Sequence, residues 1–243
     1  MTSTRFRSAL VMGILWLYFA GAFIAGYWLL FVLAGVVRGR RGIAWMLGHY
    51  LRVFLRVVRL LVRGLCIEVP ERDQLRKTAG SVVVSNHISF LDPLLMLALI
   101  PSIITVVRPD FFRVPFFGWL LRGAGFLEPR LFAEGQPWID QVARHLRSGG
   151  NLLIFPEGTR SRDGQLSRFK KGAFYLAKTI GAPVLVLKVA GSDGVFPPGR
   201  WAFNLNPTRP IEIRTLARIS ATEAAEATTH ELTERVFALV GVG

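Results

Sequence analysis

At 243 residues the chain is long enough for one domain with an appendage. Half of it is apolar (51%) and only 19% is charged, with a mean hydropathy of +0.40; that excludes a disordered chain and departs from the quarter-charged composition of an ordinary soluble domain. The formal net charge of +14 is unevenly spread, since residues 1–67 hold nine Arg and no carboxylate, and the single cysteine, Cys66, excludes an internal disulfide and a Cys-based zinc site.

The first predicted element is a run of 29 uncharged positions, 9–37. As a helix it would reach roughly 43 Å, more than the ~30 Å hydrocarbon core of a bilayer. It exceeds the apolar region of a signal peptide and favours membrane insertion. Arg5 and Arg7 flank one end and Arg38, Arg40 and Arg41 the other, so charge gives no orientation. Gly13, Gly21, Gly26 and Gly35 permit a bend, and crossing and shallow docking both stay open at this point. In the next segment, 43–66, Arg52, Arg56, Arg59 and Arg63 share one helical face among Leu, Val and Phe. An Arg stripe on an aliphatic helix suits anionic lipid headgroups, with no nucleic-acid partner expected. Residues 1–66 therefore read as a two-helix membrane-docking module and 67–243 as a separate α/β domain.

From residue 67 onward strands and helices alternate. The expected strands are 67–69, 81–86, 103–107, 125–128, 151–155, 183–190 and 211–215. The expected helices are 93–100, 115–122, 137–147, 168–180 and 222–240. The strands are continuous apolar runs, which predicts an α/β fold with a mostly parallel sheet flanked by helices. Ligands in such folds collect beyond the carboxyl ends of strands. No P-loop, dinucleotide fingerprint or Gly-x-Ser-x-Gly elbow is present, and His49, His145 and His230 are not spaced as ligands, so no metal and no cofactor are expected.

Two motifs fall where that rule would put a site. After the second strand comes Asn86-His87-Ile88-Ser89-Phe90-Leu91-Asp92-Pro93. An Asp five positions after a His at a strand-to-helix turn can orient the imidazole and support the imidazolium formed when His takes a proton. Asp92 before Pro93 equally has the form of a helix N-cap, and both roles are compatible. After the strand at 151 comes Phe155-Pro156-Glu157-Gly158-Thr159-Arg160-Ser161, in which Gly allows close approach to the backbone and Arg offers a planar fork for phosphate. Lys170 and its neighbours add cations at the start of the next helix.

The pair NHISFLD (86–92) and FPEGTRS (155–161) resembles the 1-acyl-sn-glycerol-3-phosphate acyltransferase family, over roughly residues 67–215. Phe111 to Trp119 and Gly125-Phe126-Leu127-Glu128-Pro129-Arg130 are similar to that family's second block. The resemblance implies acyl transfer from a thioester, acyl-CoA or acyl carrier protein, to a lysolipid hydroxyl, without a covalent acyl-enzyme. His87 would be the base and Asp92 its orienting carboxylate. Arg130, Glu157, Gly158, Thr159, Arg160 and Lys170 would hold the acceptor's phosphate. Pro129, and a fourth block that keeps only Pro183, depart from the family pattern on the acceptor side. A lyso-ornithine lipid therefore stands as an alternative to lysophosphatidic acid. A thioesterase would use the same base with water. A non-catalytic membrane-binding scaffold would explain the Arg-rich segment but leave both motifs without a role. The resemblance further implies the cytoplasmic face of a bacterial inner membrane.

Overall fold

The computed structural model describes residues 2–19, 21, 27–129, 136–160, 165–200 and 202–242. The apolar run divides. Helix α1 (Thr2–Trp16) is followed by π-helical backbone at 17–19, 21 and 27, and α2 (Trp28–Leu61) turns sharply at Gly39, whose φ is +58°. Among the described residues no helix is long and apolar enough to cross a membrane.

The rest alternates as the apolar runs dictate: β1 (Ile67–Glu68), α3 (Arg72–Leu75), β2 (Val82–Ser85), α4 (Leu91–Leu99), β3 (Ile103–Thr105), α5 (Pro109–Arg113) and α6 (Phe117–Ala124). There follow α7 (Gln136–Arg147), β4 (Asn151–Ile154), α8 (Gly172–Ile180), β5 (Val184–Ala190), α9 (Ser192–Val195), β6 (Ile211–Ile219), α10 (Ala221–Glu226) and α11 (Thr229–Val242). The six strands lie in the order β1-β6-β5-β2-β4-β3. Strands β5, β2, β4 and β3 are mutually parallel, whereas β6 runs antiparallel to β5 with a register shift at Val186/Leu187, and β1 follows β6.

The period-2 alternation of the central strands splits the core in two. Val82, Val84, Leu152, Val184 and Val186 face a cluster completed by α6, α7, α8 and α11; Val83, Leu153, Leu185 and Leu187 face one completed by α4. Helix α2 enters both. Phe31, Ile43, Leu47, Tyr50 and Leu51 join the first cluster, and Phe54, Val58 and Val62 the second. Val11 and Leu15 of α1 also bury against the second. On the Arg-bearing face, Arg56, Arg59 and Arg63 are exposed, but Arg52 is half-buried and donates to the Ala98 carbonyl at 3.3 Å. Burial there holds its guanidinium below the usual Arg range, with the Arg76 and Arg56 charges acting in the same direction.

Three expectations need correction. Residues 125–128 form no strand; Leu127 makes only an isolated parallel bridge to Val106 while its side chain fills the core. The single helix expected over 222–240 is two, because Thr228 and Glu231 exchange hydrogen bonds in a capping box that starts α11 afresh. Helix α8 begins at Gly172, not at 168, because the Lys170 N–H is committed to the Pro156 carbonyl at 2.8 Å.

The edge of the sheet opposite the strand carboxyl ends is tied down by His145 and Asn151. His145 Nε2 donates to the carbonyls of Ser102 (2.9 Å) and Asn151 (3.2 Å), and Asn151 Nδ2 bonds Thr78 and Pro101. Burial lowers the His145 pKa from its ordinary 6.5, the two carbonyl bonds oppose that, and the charges of Arg40 and Arg41 reinforce it. The unfolded chain therefore takes up this proton first as pH falls through about 6.5, so stability drops on acidification. His145→Gln should lower the thermal midpoint at pH 7.5, and the gap to wild type should narrow at pH 5.5; an unchanged gap would remove His145 from the acid response.

Candidate active site

The parallel strands β5, β2 and β4 are neighbours, so their carboxyl ends deliver three loops to one place. Beyond Ser85 the ladder continues through a side chain. Asn86 Nδ2 donates to the Val189 carbonyl and Asn86 Oδ1 accepts from the Val189 N–H, both at 2.8 Å. This amide fastens the end of β2 to β5 and sets where His87 begins.

His87 Nδ1 lies 3.0 Å from Asp92 Oδ2. Asp92 is fully buried, and the same oxygen accepts the N–H groups of Ile88 and Ser89 at 2.7 Å each, while Oδ1 accepts from Ser192 Oγ at 2.5 Å. Each of these hydrogen bonds replaces hydration that the buried carboxylate has lost. The carboxylate draws the Nδ1 proton of His87 and leaves Nε2 with a lone pair. The imidazole is only 18% exposed and stacks on the Phe155 ring at 4.2 Å and 19°. Asp92 is not an N-cap: α4 starts at Leu91, and its flanking residue Phe90 makes no side-chain cap. The carboxylate sits in the first turn, where the helix dipole favours a negative charge, and reaches back to the preceding loop. That loop is closed by Ser89 Oγ, which donates to the Phe196 carbonyl at 2.8 Å and accepts from the Leu91 N–H.

The second motif interlocks with the first. Glu157 is buried, and its Oε1 accepts the His87 N–H at 2.8 Å while Oε2 accepts the Ser167 N–H at 3.0 Å. Its carboxylate is thus turned to the protein, as a clasp between the two loops. Gly158 has φ +74° and lies beneath Lys170, whose Nζ would stand 2.7 Å from a Cβ there. Gly158, Thr159, Arg160 and Lys170 are exposed on this loop. The structure therefore brings His87, Asp92 and Glu157 into direct contact and sets Lys170 against Gly158. Arg130 and Ser161 lie outside the described residues.

Sequence reasoning missed Ser192 and gave Phe155 and Asn86 no role. The available signal was the position of Gly191-Ser192 just past the carboxyl end of β5, the rule that had located the other two loops. Beside the His87 loop runs a narrow crevice with only apolar walls, Trp16 and Phe19 on one side and Phe90, Leu94 and Phe196 on the other. Among the described residues no group of His, Cys, Asp and Glu is placed to hold a metal ion.

The sequence profile described as Acyltransferase matches residues 66–189. A 1-acyl-sn-glycerol-3-phosphate acyltransferase of Pseudomonas aeruginosa is 30% identical over 190 residues, covering 75% of this chain and 71% of that protein. A chloroplastic protein of the same name from Brassica napus is 36% identical over 121 residues, 49% of this chain; the match spans only 35% of the plant protein's length. The crystal structure of PlsC, a 1-acyl-sn-glycerophosphate acyltransferase from Thermotoga maritima, superposes with a TM-score of 0.78 at 22% identity, covering 98% of this chain and 95% of that one. This likeness shows that the two share an α/β fold with N-terminal helices.

Among the described residues the Ser192 hydroxyl is the one donor to Asp92 Oδ1, in a place closed to water. Ser192→Ala should cost about 1–3 kcal/mol of folding free energy, the penalty for stranding a buried acceptor, and Ser192→Thr should cost less. Chemical denaturation reads both. An alanine variant as stable as wild type would show that the bond carries no net energy.

Proposed function

The chain belongs to the acyltransferase family, and on that footing we propose that it transfers a fatty acyl group from a thioester to the free hydroxyl of 1-acyl-sn-glycerol-3-phosphate, giving phosphatidic acid. The observation that carries this reading is the Asp92–His87 pair, buried carboxylate to imidazole at 3.0 Å, with Nε2 free of any described partner. Nε2 takes the hydroxyl proton as the oxygen attacks the thioester carbonyl carbon. The tetrahedral intermediate then expels the thiolate, which recovers the proton from His87, so the products are an ester and a free thiol. Asp92 stabilises the imidazolium meanwhile, Ser192 and the Ile88 and Ser89 N–H groups hold Asp92, and Phe155 and Glu157 hold the imidazole and its backbone. These last are positioning residues. The reacting thioester is common to acyl-CoA and acyl carrier protein, so the same His87 chemistry serves either donor.

The acceptor's phosphate is assigned to the exposed cations Arg160 and Lys170 with the Gly158 and Thr159 backbone, and to Arg130 from the resemblance alone. Glu157 supports this loop from beneath and need not touch the phosphate. The acyl chains enter from a bilayer on which residues 1–66 dock. Leu10, Leu17, Leu29, Leu33, Val36 and Val37 are exposed there, an apolar surface that water alone does not explain. The cytoplasmic face of a bacterial inner membrane fits, because thioester donors are made in the cytoplasm.

His87→Ala should reduce acyl transfer by roughly 10²–10⁴-fold while the protein stays folded, since the neighbouring carboxylates Asp92 and Glu157 are committed to backbone N–H groups. Retention of more than about a tenth of the rate, well outside that range, would remove His87 from the chemistry. Arg160→Ala and Lys170→Ala should raise KM for lysophosphatidic acid and leave KM for the thioester unchanged. A selective loss of donor affinity would instead put the donor's phosphates on this loop. Offering lyso-ornithine lipid in parallel separates the phosphate-bearing acceptor from an amino-acid lipid.

A further inference from the structure

The break in α2 at Gly39 (φ +58°, ψ −146°) opens a cleft of about 580 Å³ between α2 and α6. Val32, Val36 and Ile43 form its wall on α2, Trp119 its wall on α6, and Arg40 and Arg122 line the same space. The helices approach closely at its floor, where a Cβ on Gly123 would stand 2.9 Å from Ile43 Cδ1. Outward the cleft merges with bare apolar surface: Val36 is 80% exposed, Leu33 57% and Phe116 48%. Trp28 joins the two helices across this rim, edge-on to Trp119 at 4.5 Å and to Phe116 at 5.1 Å. Among the described residues neither Arg40 nor Arg122 is ion-paired, and Arg122 rests instead over the Phe112 ring at 5.6 Å.

These features make two demands on an occupant. Apolar walls that open onto an apolar surface are wetted at a cost unless hydrocarbon covers them. Two guanidinium groups without carboxylate partners call for an anion, and their planar forks match phosphate oxygens. A soluble anion leaves the walls wet, and a neutral lipid leaves the arginines without counter-charge. We propose that the cleft holds one anionic phospholipid of the bilayer, its acyl chain against Val32, Val36, Ile43 and Trp119 and its phosphate on Arg40 and Arg122. This is a structural lipid, separate from the acceptor whose phosphate is assigned to the loop at 158–160. It goes beyond the catalytic reading and rests only on the docking of residues 1–66 to a bilayer. Its effect is to fix the α2–α6 face against the membrane through one oriented contact.

Trp119 gives a local readout. Its emission is taken as the difference between wild type and Trp119→Phe, both bound to mixed vesicles of phosphatidylcholine and phosphatidylglycerol. With bromine on the phosphatidylglycerol chains this difference signal should be quenched more than with bromine on the phosphatidylcholine chains at equal density. Arg40→Gln/Arg122→Gln should abolish that preference while the protein still sediments with the vesicles through its apolar surface. Native mass spectrometry of detergent-purified protein supplies a measurement that needs no change at Trp119. Wild type should retain one phosphatidylglycerol, and the double variant should retain it roughly thirtyfold less, having lost two arginine–phosphate contacts. Equal quenching by the two brominated lipids, or a preference that survives the double variant, would overturn the site and leave the docking and catalytic readings standing. Failure of the wild type to sediment with any vesicle would overturn the docking reading and this one together, with acyl transfer to dispersed acceptor still testable on its own.

Discussion

A carboxylate with no access to water survives in a protein only where donors surround it, and Asp92 is held from two segments at once. Its own loop supplies two backbone N–H groups and the His87 ring, and the turn after β5 supplies the Ser192 hydroxyl. Because donors converge from fixed directions, the carboxylate cannot rotate, and the imidazole bonded to it cannot either. Phe155 closes the remaining freedom by lying flat against the ring. The site's order is therefore a product of sheet pairing: move β5 relative to β2 and Asn86 loses Val189 while Asp92 loses Ser192.

The N-terminal residues have two physical jobs on one helix. The side chains of α2 that face inward, from Phe31 to Val58, complete both cores, while Leu33, Val36, Val37 and Leu60 face outward. The change in charge composition near residue 66 marks where the chemistry of the surface changes, whereas the buried face of α2 is continuous with that of the α/β layers. The tyrosine at position 50 shows the same economy: its hydroxyl donates to the Phe19 carbonyl at 2.6 Å, satisfying backbone where the π-helical segment leaves regular pairing, and its ring stacks on Tyr18.

The fold class was legible because buried parallel strands are continuous apolar runs, and residues such as Val82-Val83-Val84 and Leu185-Val186-Leu187 announce them directly. The contact between His87 and Asp92 was legible because it is local, set by one strand-to-helix turn. What escaped were the contacts that cross the sheet. Ser192 is 100 positions from Asp92, and nothing in its immediate sequence separates it from a surface serine. Glu157 read as an anion-binding residue from its company of Gly, Thr and Arg, yet its carboxylate faces the backbone of the first loop, a direction that only pairing of β2 with β4 decides. The extent of residues 125–128 was misjudged for a related reason: apolar burial alone suits a strand or a packed loop equally, and edge pairing settles which.

The clasp between Glu157 and the His87 N–H spans 70 residues of chain, and the Asn86–Val189 pair spans 103. Contacts of such separation form late, since closing long loops is entropically costly until the central strands are already in register. A nascent or partly unfolded chain thus carries the local His87–Asp92 turn before Ser192, Glu157 and Val189 lock its surroundings in place. Order around His87 is in this sense a report on completed topology, and agents that loosen the β5–β2 seam should disorder these loops before the bulk of the helices melt.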